Sequence, residues 1–415
     1  MPNSNTVGVY ISGLGITSAI GQGKQAFSEA LFAGHSSFDF MQRPGRQIPT
    51  ESEVQNETPF IGAEINNFTL SPHFPGNLLR TASFSSQVGL ATVYEAWQDA
   101  YLDQISAERV GLIVGGSNFQ QREMVNTQEK FINKSLFLRP TYGLNFMDTD
   151  FCGLCSELLG IRGLAITVGA ASASGQIAVI QACNAVANGQ LDACIAVGAL
   201  MDLSYWECQG LRSLGAMGSD KFSQTPGLAC RPFDLDRDGF IYGEICGALV
   251  IESEASLCKR DRPSYVRAAG WSVAMDGNRN PNPSFEGEVQ VIEESLRAAG
   301  LTPGDIQYVN PHGTGSPLGD ETELRAIKHC GLNESYINTT KSLTGHGLSA
   351  AGSAELVATI LQMQSATLHP CNNLNNPMDD TLNWISHRAE PHKIRHALKM
   401  SMGFGGFNSA MCLEL

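Results

Sequence analysis

Two histidines and one serine stand out by residue type and setting. His312 lies in VNPHGTGSPLGD, directly after an apolar run and inside a Gly/Pro loop. His346 lies in TTKSLTGHGLSAAG, again after an apolar run and just ahead of a small-residue helix. The sequence holds nine histidines, most of them expected on the surface or in satisfied hydrogen bonds. Two imidazoles at the carboxyl ends of strands, in glycine-rich loops, point instead to a ligand site, because open α/β sheets bind ligands there. Ser172, in VGAASASGQIAV, follows the same logic. A strand runs into small residues and then a helix, so a side chain at the bend projects at a helix N-terminus. Backbone N–H groups and the helix dipole can stabilise negative charge there. On spacing alone Ser172 could equally be an N-cap, with Ser174 an equal candidate. The stretch lacks the glycine two residues before the serine that a hydrolase elbow requires.

The elements that must hold these residues are legible as short β-branched runs bounded by glycine. VGVYISGLG, RVGLIVGGS, LAITVGA, ACIAVGAL and GALVIES are expected strands in the first half. YVRAAGWSV, IQYVNPHG, YINTTKS, ALKMSMGF and SAMCLEL are their counterparts in the second. GQIAVIQACNAVANGQ, with Ile177, Ile180 and Val186 at helical spacing, is an expected crossover helix. Five strands per half, joined by helices, imply two α/β units of one design. The division falls near residues 253–263, where ESEASLCKRDRP is polar and ends in proline. This gives an N-terminal unit of 1–255 and a C-terminal unit of 256–415. Gln47 to Asn77, polar and proline-containing, is expected to run over the surface.

At 415 residues, with 42% hydrophobic and 16% charged residues, the chain has the composition of a folded protein. A formal charge of −14 excludes the usual basis of nucleic-acid binding and argues against anionic membrane. Eleven cysteines without regular spacing do not form a disulfide framework. Cys152 and Cys155, the one CxxC pair, are expected to be buried thiols rather than metal ligands. No apolar run approaches the length of a membrane helix, and the start of the chain lacks signal-peptide organisation, so a cytoplasmic location is expected.

ISGLGITSAIG, CRPFDLDRDGFIYGEICGALVIES, HGTGSPLGD, TKSLTGHGLSAAG and SMGFGGFNSAMCLEL occur in order along the chain. In these segments it resembles the β-ketoacyl-acyl carrier protein synthases of the elongating type. The resemblance implies a thiolase-like fold, two similar α/β halves layered α/β/α/β/α. It also implies a homodimer joined near LAITVGA, and no metal or nucleotide cofactor. The substrate would ride on the phosphopantetheine of an acyl carrier protein. The family's catalytic Cys, two His and Lys fall on Ser172, His312, His346 and Lys341. Thr314 and Ser316 match a hydroxyl pair expected near the substrate carboxylate, and Phe404 matches a gating phenylalanine. Phe407 stands where a threonine is usual. The backbone N–H groups of Ser172 and Phe404 would form an oxyanion hole. Lys341 is expected to pair with Asp320 or Glu355.

Serine at the nucleophile position damages acyl loading, since a helix N-terminus that lowers a thiol pKa leaves a hydroxyl protonated. Decarboxylation needs no loading. Two neutral imidazoles can hold the thioester oxygen as charge develops on it. Ketosynthase-like proteins with this Cys-to-Ser change occur in polyketide β-branching cassettes, where they convert malonyl-carrier to acetyl-carrier. That activity is the leading expectation. Condensation or acyl transfer through Ser172 is an alternative, and a non-catalytic partner resembling chain-length factors is another. Retention of His312, Lys341 and His346 counts against the last.

Overall fold

The computed structural model describes residues 8–47 and 58–415. All ten expected strands are present. In the first half they are β1 (Val9–Ser18), β2 (Val110–Gly115), β3 (Ala165–Val168), β4 (Ala193–Gly198) and β5 (Ile245–Ser253). In the second they are β6 (Val266–Met275), β7 (Tyr308–Asn310), β8 (Tyr336–Ile337), β9 (His396–Gly403) and β10 (Phe407–Glu414). The first five lie in the spatial order β3-β2-β4-β5-β1 and the second five in the order β8-β7-β9-β10-β6. Pairing senses also correspond: the first two contacts in each order are parallel and the last two antiparallel. The topology of the first half is thus repeated in the second, although the sequences of the halves show little similarity. The two sheets join where β1 meets β6, at Tyr10↔Arg267 and Ile11↔Val266.

Helices complete the layers. Helix α1 (Phe84–Asp99) covers the outer face of the first sheet, and α3 (Phe285–Ala299) with α4 (Pro317–His329) covers that of the second. Between the sheets lie α2 (Ser174–Ala187) and α5 (Ala351–Ser365), packed on each other and on strands of both halves. This is the α/β/α/β/α arrangement of the thiolase-like fold. Three apolar cores correspond to it, a central one containing Val179, Leu249, Val357 and Met411 and one under each outer helical layer. Burial of α2 goes beyond one face: 11 of its 14 residues are buried, as a helix clamped between two sheets requires. In β1, glycine allows α1 to lie close, because a Cβ at Gly15 would stand 2.1 Å from the Thr92 carbonyl oxygen.

One expectation needs correction. Within Gln47–Asn77, residues 48–57 lie outside the described residues, but Phe60, Ile61 and Ala63 are fully buried. Ile61–Ala63 forms a strand between Phe38–Phe40 and Tyr242–Gly243. Three residues are too few for alternation to mark a strand in a polar context, yet this one is held at the core. Cys152 and Cys155 are both buried, and burial raises both thiol pKa values. Among the described residues no helix is long and apolar enough to cross a membrane.

Candidate active site

Ser172, His312 and His346 line one cavity of about 240 Å³. Each arrives from the carboxyl end of a strand. β3 leads into a single 3₁₀ turn, Ala171–Ala173, and then α2. Ala171 holds φ at 47°, a left-handed value that non-glycine residues resist. The neighbouring serine settles which hydroxyl serves the turn. Ser174 Oγ accepts from the Ala170 N–H (2.8 Å) and donates to the Ala171 carbonyl (2.7 Å). Ser172 is left half-buried, facing the cavity, with Oγ 3.1 Å from His346 Nε2.

His312 follows β7. Its backbone N–H and that of Gly313 donate to the two oxygens of Glu323, on α4 (2.5 and 2.8 Å). His346 follows the short helix Lys341–Thr344, and its N–H donates to the Ile241 carbonyl (2.7 Å). That approach requires glycine at 243, where a Cβ would meet the Thr344 carbonyl oxygen at 1.8 Å. The imidazoles meet edge to face, with centroids 5.4 Å apart and planes at 83°. Phe240 stacks edge-on against the far ring at 5.1 Å.

Electrostatics keep both rings neutral. Enclosure lowers the pKa of each well below the usual histidine value, and the nearby Lys341 ammonium lowers it further, as does Lys399. Lys341 donates to the His312 carbonyl and to Glu355 Oε1. Of its two expected partners only Glu355 is one. Asp320 instead accepts from the Phe233 and Gly315 N–H groups (2.6 and 3.0 Å), with Arg237 at 3.6 Å. Asp320 therefore braces the histidine loop from the first turn of α4, and burial pushes its carboxyl up to about 6. Glu355 is shared, since Lys399 stands 2.8 Å from its Oε2. All three groups of this cluster are nearly inaccessible. Removing one member of such a cluster typically costs about 3–5 kcal/mol, because a buried charge is left uncompensated.

Thr314 and Ser316 reach the cavity wall with hydroxyls 3.1 Å apart, and Phe404 and Phe407 close another side. Phe404 is exposed, whereas Phe407 packs on Ala170, Ala173 and Ile177. Gly403 brings the β9–β10 turn against the serine bend, as a Cβ there would lie 2.2 Å from the Ala170 carbonyl oxygen. Sequence reasoning missed Phe240, Glu288, Glu323 and Lys399. Each carried a signal only in retrospect: Lys399 is a charge inside the apolar run ALKMSMGF, and Glu323 is one turn beyond Asp320 on α4.

Comparison with known proteins places this geometry. Residues 7–256 match the family model "Beta-ketoacyl synthase, N-terminal domain", and residues 265–375 match "Beta-ketoacyl synthase, C-terminal domain". The chain is 52% identical over 414 residues to the polyketide biosynthesis malonyl-ACP decarboxylase PksF of Bacillus subtilis (strain 168), covering 100% of this chain and 98% of that protein. It is 29% identical over 420 residues to the 3-oxoacyl-[acyl-carrier-protein] synthase 2 of Coxiella burnetii, covering 98% of each. Among solved structures, a β-ketoacyl synthase from Burkholderia phymatum STM815 superposes with a TM-score of 0.88 at 24% identity, over 98% of this chain and 99% of that one. Matched in both halves and along its full length, the chain belongs to the β-ketoacyl synthase family.

Proposed function

We infer that this protein is a malonyl-ACP decarboxylase of polyketide biosynthesis, forming acetyl-ACP without an acyl-enzyme intermediate. The observation that carries the reading is the buried pair of imidazoles meeting edge to face in one cavity, where burial and nearby lysines disfavour protonation. In the reaction the bond between C2 and the malonyl carboxylate breaks, CO2 leaves, and the electron pair moves toward the thioester oxygen. N–H groups of His312 and His346 would hold that oxygen. Hydrogen bonds from their main-chain N–H groups and edge-to-face packing of the rings hold the pair in place before substrate arrives, which limits reorganisation as charge develops. Lys341, Glu355 and Asp320 position them. Thr314 and Ser316 would meet the carboxylate, and Phe404 would gate the phosphopantetheine. No metal or nucleotide has a part in this chemistry. Full-length similarity to a named decarboxylase supports the same reaction, and a β-branching cassette is its expected setting.

Acyl transfer through Ser172 is favoured by one contact, the 3.1 Å approach of His346 Nε2. A serine nucleophile needs that imidazole to take its proton and become a cation. Burial and two lysines oppose the cation, and His346 Nδ1 has no hydrogen-bond partner among the described residues to stabilise it. Initial rates of CO2 release from malonyl-carrier distinguish the readings. His312→Ala and His346→Ala should each lose about 10²–10³ in rate, while Ser172→Ala should retain most of it. A dead Ser172→Ala alongside active histidine variants would reverse the assignment.

We further propose that 1–255 and 256–415 are the two structural units, a division that the repeated strand order supports. A homodimer is further supported by the free outer edge of β3, where Ile166 is exposed, and by the exposed Leu136, Phe137, Leu144 and Phe146 on the preceding segment. Light scattering should give the mass of two chains for the wild type and of one for a variant carrying Ile166→Asp and Phe137→Asp. A wild-type mass of one chain would refute the dimer.

A further inference from the structure

Loss of CO2 leaves an enolate whose C2 must gain one proton, and neither imidazole can supply it. Both are neutral and engaged with oxygen, and giving up an N–H would leave an imidazolate. The Ser172 hydroxyl is too weak an acid. Four carboxyl groups line the same cavity: Asp276, Glu288, Asp320 and Glu323. Three of them receive N–H donors. Asp276 accepts from Asn408 Nδ2 (2.7 Å), and Asp320 and Glu323 accept from the backbone of the loops they brace. Glu288 differs. It is 1% exposed, and its Oε2 has no hydrogen-bond partner among the described residues. It sits in the first turn of α3, on the buried stripe that continues through Val291, Ile292 and Ser295, where an apolar residue would be expected. The charged groups acting on it are the carboxyls of Glu323, Asp276 and Asp320.

Resting on the decarboxylase reading, we propose that Glu288 is the proton donor to C2 of the acetyl-thioester enolate. Burial first, and the surrounding carboxyls second, keep its pKa well above the usual glutamate value, so the acid form is the resting one. The O–H bond of Glu288 breaks as the C2–H bond forms from the enolate π electrons, and the thioester carbonyl is restored. The resulting carboxylate regains its proton from water once acetyl-carrier departs. The sum is malonyl-carrier plus one proton giving acetyl-carrier and CO2.

A donor acting after bond cleavage controls how the enolate partitions between protonation and recapture of CO2. Full-length wild type, E288Q and E288D are incubated with malonyl-carrier under ¹³CO2, and the carrier is followed by intact mass. Wild type should form acetyl-carrier with no ¹³C in the remaining malonyl-carrier. E288Q should form it about 10²-fold more slowly while ¹³C enters the malonyl carboxyl group, and E288D, which retains an acid, should suppress that exchange. Acetyl formation at the wild-type rate in E288Q would overturn the proposal. So would slowing without exchange, which would make Glu288 structural; if E288Q does not fold, E288A, which also lacks an acid, carries the same test. A wild type that forms no acetyl-carrier would refute the decarboxylase reading itself, and the role of Glu288 with it. A normal wild type beside an unaffected E288Q would remove only that role.

Discussion

In the proposed reaction His312 and His346 would do the same work from different supports, and both would have to stay uncharged. An imidazolium would bind the thioester oxygen but would also draw the substrate carboxylate toward itself and hold it as an ion pair. Enclosure and the ammonium groups of Lys341 and Lys399 disfavour that state. The imidazole nitrogen NMR shifts of both residues should therefore remain those of neutral rings at about pH 5.5, where an ordinary histidine is mostly protonated. Imidazolium shifts at that pH would contradict the electrostatic account. The sign for stability follows. The unfolded chain takes up two protons near pH 6.5 that the folded rings refuse, so stability is unaffected by these residues above about 6.5 and falls progressively below it until the depressed folded values are passed. At this scale the sequence was informative where chemistry stood in a glycine-rich loop, as for both histidines and Ser172. It did not single out Glu288, one of several carboxylates on an amphipathic helix, or Lys399 in a strand, because their burial depends on what packs opposite.

Elements place these residues through close backbone approach rather than through long side chains. The carbonyl of Thr344 lies where a Cβ on residue 243 would project, and the Ala170 carbonyl lies where one on residue 403 would. Gly243→Ala should thus push the His346 segment away from the Tyr242–Gly243 strand. The expected outcome is a loss of about 1–3 kcal/mol in urea unfolding, with CO2 release falling further than the stability change alone accounts for. Wild-type unfolding and turnover in that variant would show that the approach is not required. Strand positions were legible because β-branched runs ended in glycine. Their lengths were not: YINTTKS has only Tyr336–Ile337 in the sheet before the chain turns into the Lys341 helix. Ile61–Ala63 escaped notice because burial there comes from the Phe38–Phe40 and Tyr242–Gly243 strands, which are distant in sequence.

Across the whole molecule, the repeated strand order explains why one site draws on both halves. β3 is the third strand of the first unit and carries Ser172, while β7 and β8, second and third of the second unit, carry the histidines. The layered fold was visible from five strands per half, but equivalence of the halves resides in topology and pairing sense, which survive after sequence similarity has faded. In the proposed reaction serine at the bend would remove the covalent step, while the histidine pair stays facing the cavity. Intact mass spectrometry of malonyl-loaded carrier protein incubated with the purified enzyme tests that claim most directly. The account predicts that the carrier loses the mass of CO2 while the mass of the enzyme stays unchanged throughout turnover. Acyl mass accumulating on the enzyme, and absent from Ser172→Ala, would contradict it.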